Sequence, residues 1–139
     1  MRKILFRAKA LDSDEWVHGQ YICQENAVFK HKMAVNWFDT KTRKHTFSIV
    51  DIDYKTLGQY TGLQDKYGVM VFEGDKVSVW RDGSNRKFTV KWREEGTPMY
   101  ILYPQPANEK FWTCRSDMEQ AWKVIGTIHD SSERMDAED

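Results

Sequence analysis

The feature that most narrows the fold of this chain is a pair of alternating runs, Lys76-Val77-Ser78-Val79-Trp80 and Arg86-Lys87-Phe88-Thr89-Val90-Lys91-Trp92, joined across Arg81-Asp82-Gly83-Ser84-Asn85. Successive side chains on an extended strand point to opposite faces. Val77 and Val79 therefore share one face of the first arm, and Phe88, Val90 and Trp92 share one face of the second. Such a hairpin has a single apolar side to bury, and the rest of the chain must supply the layer that covers it.

The same period recurs along the sequence. Ile4, Phe6, Ala8 and Ala10 alternate with Lys3, Arg7 and Lys9, with Leu5 out of phase, and after the polar turn Leu11 to Glu15 the run Trp16 to Ile22 is rich in residues that suit a pleated surface. Ala27 to Phe38 has helical spacing in part, but its second half is better strand material. Asp39-Thr40-Lys41-Thr42 reads as a turn into His45 to Val50, where Phe47 and Ile49 alternate with Thr46 and Ser48. Gly58, Gly62, Gly68 and Gly74 punctuate the middle as reversals of chain direction, with Gln64 to Gly68 as a hairpin loop. Pro98, Pro104 and Pro106 flank the short strand Met99 to Tyr103. Ser116 followed by Glu119 has capping-box spacing and predicts one short helix over Ser116 to Lys123, before a final strand Val124 to His129. The expected fold is mainly β, with strongly bent sheets and at most one or two short helices.

Composition excludes several classes of protein. With 139 residues the chain suits one compact domain or two small lobes, and 40% hydrophobic with 14% aromatic content is too apolar for a linker or a solvating tail. Lys+Arg and Asp+Glu both number 21, so the total charge names no polyelectrolyte partner. The last ten residues carry Asp130, Glu133, Asp136, Glu138 and Asp139 against Arg134 alone, a net −4, which leaves the other 129 residues at +4. An acidic flexible tail is therefore expected over 130–139. The first residues return to charge after three apolar positions, so neither a signal peptide nor a membrane span is expected, and a cytoplasmic location is the default. Cys23 and Cys114, 91 positions apart, read as reduced and packed thiols.

The motifs that could carry chemistry read more simply as structure. Glu73 and Asp75 flank Gly74, and paired carboxylates can serve acid–base or metal chemistry. The same triplet is also an efficient turn in which Asp75 accepts hydrogen bonds from nearby backbone amides, and this reading is favoured. His18, His31, His45 and His129 are scattered and lack zinc-ligand spacing, and the Gly58 to Gly62 spacing lacks the context of a phosphate loop. No catalytic residue, metal or cofactor is expected, and the chain is not read as an enzyme.

The constellation with most functional content is basic and aromatic. Lys76, Ser78 and Trp80 share the polar face of one hairpin arm, and Lys87, Thr89 and Lys91 share that of the other. A tryptophan among three lysines has the composition of a platform for stacking a base beside phosphate-binding charge. The alternative is a solvated structural face, with lysine stems covering the ring. Six tryptophans, six tyrosines and seven phenylalanines are also more than a domain of this size hides easily, which points to a subunit contact.

The stretch from Ile52 to Val77, including Gly58-Gln59-Tyr60-Thr61-Gly62-Leu63 and Glu73-Gly74-Asp75, resembles the YopX family of bacteriophage and prophage proteins. Met1 to Ala8 and Val124 to His129 are similar to that family's two ends, so the resemblance spans nearly the whole chain up to the acidic tail. It implies a mostly β fold in two parts, an N-terminal β region over residues 1–50 and a glycine-punctuated β region over 51–129 with a small SH3-like barrel, together with a phage or prophage origin and no activity or site residue to transfer. The expected function is therefore that of a non-enzymatic accessory protein, cytoplasmic in a bacterial host cell and acting through self-assembly into a homo-oligomer and through partner binding. Nucleic acid and a phage or host protein are the candidate partners, without a membrane. The alternative function is a nucleic-acid-binding module using Lys76, Trp80, Lys87 and Lys91.

Overall fold

The computed structural model describes residues 3–81, 83–93, 99–103 and 121–130. These residues form nine β-strands and no helix. They are β1 (Phe6–Ala10), β2 (Trp16–Cys23), β3 (His31–Asp39), β4 (Lys44–Gln64), β5 (Met70–Phe72), β6 (Asp75–Arg81), β7 (Ser84–Arg93), β8 (Met99–Tyr103) and β9 (Trp122–Thr127). The mainly β fold expected from the alternation is thus what the chain adopts. Of the expected helix, residues 116–120 lie outside the described residues, and Trp122 and Lys123 at its end belong to β9. The chain divides into two compact units, Met1–Tyr60 and Thr61–Asp139, and β4 contributes to both.

In the first unit, β1, β2, β3 and β4 pair antiparallel in that order, and β1 also pairs with β4, so the sheet curls back on itself. Gly58 and Gly62 do not reverse the chain as expected, because both lie within the 21 residues of β4. The strand bends instead. Between Arg7↔Gly58 and Lys9↔Asp53 the β1–β4 register slips, leaving a bulge on β4. Thr56 braces it, its Oγ1 accepting from Lys9 N at 2.8 Å and donating to Asp53 O at 2.7 Å. Inside the curl lies a core of Ala8, Ala10, Val17, Val35 and Ile52 around one large side chain, the fully buried Met33. Backbones approach closely here: a Cβ on Gly19 would stand 1.9 Å from Ala34 O, so only glycine fits at that position.

The second unit holds a four-stranded antiparallel sheet in the order β8-β7-β6-β9. Its core is bulkier, with Val71, Val77, Val79, Phe88, Val90, Tyr100, Leu102 and Trp122 all buried together. The predicted β6–β7 hairpin is present, with a tighter turn than the five residues expected, since β6 ends at Arg81 and β7 begins at Ser84. Among the described residues β8 and β9 are the two edges of this sheet, so the SH3-like barrel implied by the resemblance is not delineated by closure.

Two buried carboxylates hold the turns of this unit. Asp65 accepts from the backbone N–H of Tyr67 at 2.8 Å and Val69 at 2.9 Å through Oδ1, and from Val124 N–H at 3.0 Å through Oδ2. Asp75 Oδ2 accepts from Phe72 N–H at 2.8 Å, which closes the β5–β6 turn at Gly74 with its φ of 90°. Glu73-Gly74-Asp75 is thereby accounted for as a turn.

Candidate ligand-binding face

The register of the second sheet decides which residues share its outer face. Ser78 lies between Lys87 on β7 and Lys123 on β9, Lys76 is opposite Thr89, and Thr89 is opposite Tyr103 on β8. Lys91 is opposite Ile101, and Trp80 is opposite Asn85. Because Val77, Val79, Phe88, Val90, Leu102 and Trp122 all turn inward, their strand neighbours turn outward, as period-two geometry requires. No acidic residue stands at an outward position of these strands among the described residues.

Four sequence-selected residues therefore occupy one face, but not one cluster. Lys87 is the diagonal neighbour of Trp80, about 7–8 Å away. Lys91 stands six residues beyond Asn85 on β7, roughly 20 Å from Trp80 at about 3.3 Å per residue. Lys76, four residues from Trp80 on β6, is roughly 13 Å away by the same spacing. The expected arrangement of one tryptophan among three lysines becomes a spread surface. Trp80 is 56% exposed at its end.

Two rings that sequence reasoning missed complete the face. Lys91 Nζ lies 4.1 Å from the centre of the Tyr103 ring, and Tyr103 is exposed. Tyr67, also exposed, has Lys66 Nζ 5.3 Å and Lys123 Nζ 5.8 Å from its ring centre. All three contacts are at cation–π distance. Met99 to Tyr103 was legible as a strand, yet its place beside β7 was not, and Lys123 was assigned to a helix.

The first unit brings together a different set of polar side chains. Cys23 and His31 are Cα partners across β2 and β3, and Cys23 Sγ donates to Glu25 Oε1 at 3.3 Å. Cys23 is free and exposed, which corrects the expectation of a packed thiol, and Cys114 lies outside the described residues. His31 stacks on Tyr54 with ring centres 4.0 Å apart, and its Nδ1 is 2.6 Å from Tyr21 Oη. Desolvation, the hydrogen bond with Cys23 and the nearby Cys23, Tyr54 and Glu25 push the Tyr21 hydroxyl up to about 12. Among the described residues no group of three or more His, Cys, Asp or Glu side chains could hold a metal ion.

Comparison with known proteins places the chain. A family model described as YopX protein matches residues 5–136. The chain belongs to the YopX family. Its fold is shared with the crystal structure of protein EF1440 from Enterococcus faecalis, with a TM-score of 0.58 and 18% identity over 97% of this chain and 99% of that one. At that identity the likeness establishes the fold alone. No curated protein matches the chain. The basic, aromatic face lies within the residues matched by the YopX model, and so do β3 and β4 of the first unit.

Proposed function

We propose that this YopX chain is a phage or prophage accessory protein that acts in the bacterial cytoplasm by self-assembly and partner binding, without chemistry of its own. One observation carries the reading. From Asn36 to Phe47 every residue is exposed, although this stretch is a regular two-stranded ribbon in which Asn36↔Phe47, Trp37↔Thr46, Phe38↔His45 and Asp39↔Lys44 are paired. Trp37 stands on one face, and Phe38, Phe47 and Ile49 stand on the other.

A lone two-stranded ribbon is marginal in water, and one with large apolar groups on both faces gains most of its stability by burying them elsewhere. A second copy is the occupant favoured here, because an exchange of identical arms satisfies both ribbons at once and closes a symmetric assembly. Among the described residues no helix is long and apolar enough to cross a membrane.

Light scattering during size-exclusion chromatography tests the reading across a wide concentration range. The unaltered chain is expected to elute at a multiple of its 16.5 kDa mass. Phe38→Ser with Phe47→Ser is expected to shift that mass toward a single chain while the far-UV spectrum is kept. A monomer for the unaltered chain at the highest concentration would end the self-assembly reading.

A further inference from the structure

We propose that the outer face of the β8-β7-β6-β9 sheet binds single-stranded nucleic acid, with Trp80, Tyr103 and Tyr67 as base-stacking rings and Lys76, Lys91 and Lys123 as phosphate contacts. The site rests on the second unit alone and does not depend on the ribbon of the first. Charge complementarity carries the choice of occupant. The outward strand positions of this face carry lysines and no carboxylate among the described residues, in a chain whose total charge is +0. Lys76, Lys87, Lys91 and Lys123 thus share one face, and a polyanion is the ligand that such a face attracts.

The rings choose a strand over a generic polyanion. Trp80 is 56% exposed, Tyr103 51% and Tyr67 67%, although rings of this size are usually covered when they serve only packing. Each tyrosine has a lysine ammonium within 6 Å of its ring centre, Lys91 for Tyr103 and Lys66 and Lys123 for Tyr67. A stacked base and a neutralised phosphate are therefore offered side by side. An open sheet with outward aromatics accepts unpaired bases, whereas a duplex hides its base faces and presents only edges and phosphates. The separation of the rings, Trp80 on β6, Tyr103 on β8 and Tyr67 in the turn after β4 beside Lys123, suits a strand laid over the sheet rather than a single nucleotide held in a pocket. The chemistry shared by DNA and RNA is what the face recognises.

The test uses the whole chain and labelled oligo(dT) and oligo(U), with fluorescence anisotropy read over a range of salt. Either strand is expected to bind at low salt, with affinity falling as salt rises by about 0.7 log units per log unit of salt for each phosphate neutralised. Lys76→Gln, Lys91→Gln and Lys123→Gln together are expected to flatten that slope by about 2. Trp80→Ala is expected to weaken binding roughly 5- to 150-fold, whereas Trp80→Phe, which keeps a stacking ring, retains most of it. Thermal unfolding of each variant confirms that its fold is intact, and Tyr103→Leu repeats the ring test on β8. Absence of binding to both strands at low salt would overturn the proposal. So would equal affinity for an abasic strand or a duplex of the same length, since either removes the stacked base from the argument. Failure of the assembly experiment leaves these outcomes unchanged, because mass and strand affinity are read separately.

Discussion

The two units build their cores by opposite means. The first unit packs mostly small side chains, Ala8, Ala10, Val17 and Val35, around the single large Met33, beneath a curled sheet whose backbones come close enough to exclude a side chain at Gly19. The second fills its interior with Phe88, Tyr100, Leu102 and the fully buried Trp122. Small residues allow close approach but bury little apolar area, while large ones contribute more burial per residue and keep the sheet's two faces distinct. The exposed aromatics divide in the same way. In the first unit Trp37, Phe38 and Phe47 sit on an exposed ribbon, and in the second Trp80 and Tyr103 sit on the lysine-bearing face of a well-filled sheet.

The sharpest way to break that comparison is to empty each core in turn. Trp122→Ala is expected to cost about 3–5 kcal/mol. It also removes the donor that Nε1 supplies to Gln64 O at 2.9 Å. Met33→Ala in the first unit falls in a range of about 2–5 kcal/mol and is expected to cost less than Trp122→Ala. Urea unfolding monitored by hydrogen exchange at β1–β3 and β6–β9 measures both; a larger loss for Met33→Ala would invert the account.

Gly19→Ala comes next. Added volume in a tight core costs roughly 1–3 kcal/mol. Here the clash is with backbone, at Ala34 O, so the sheet must open rather than a side chain turn away. A shift in the urea midpoint is the readout. An unchanged midpoint would show that close backbone approach is not what shapes the first unit.

The smallest expected effect is a dependence on alkaline pH. Tyr21 titrates at about 12 in the folded chain against an ordinary value of 10.0. Between those values the folded state holds the proton more tightly than the unfolded state, so this group's contribution to stability is present below pH 10.0 and falls as pH rises toward about 12. Tyr21→Phe is expected to remove that part of the decline, and one late step from the tyrosinate absorbance titration. If Tyr21 ionises with the exposed tyrosines, the polar cluster around His31 contributes nothing to holding it.

Much of the second unit was legible because alternation is local. Val77, Val79, Phe88 and Val90 are buried and Trp80 is exposed as their parity required, since one strand's period assigns its faces before any partner is known. The same reasoning failed at Gly58 and Gly62, where glycine signals a reversal but the chain continues along β4, with a bulge beside Gly58 and a φ of 90° at Gly62. It also had no means of pairing Cys23 with His31 or Lys91 with Tyr103, because those contacts depend on the order of strands in a sheet.

From its sequence alone this chain was committed to strands, to an apolar and a lysine-bearing side of the β6–β7 hairpin, and to the turn at Gly74, because each follows from side-chain alternation or from backbone freedom at one residue. Tertiary structure decided how the lysines are spaced, which tyrosines join them, and that the ribbon from Asn36 to Phe47 is exposed along its length. Those outcomes depend on register and neighbour order between distant segments, which many sequences of the same alternation could satisfy differently.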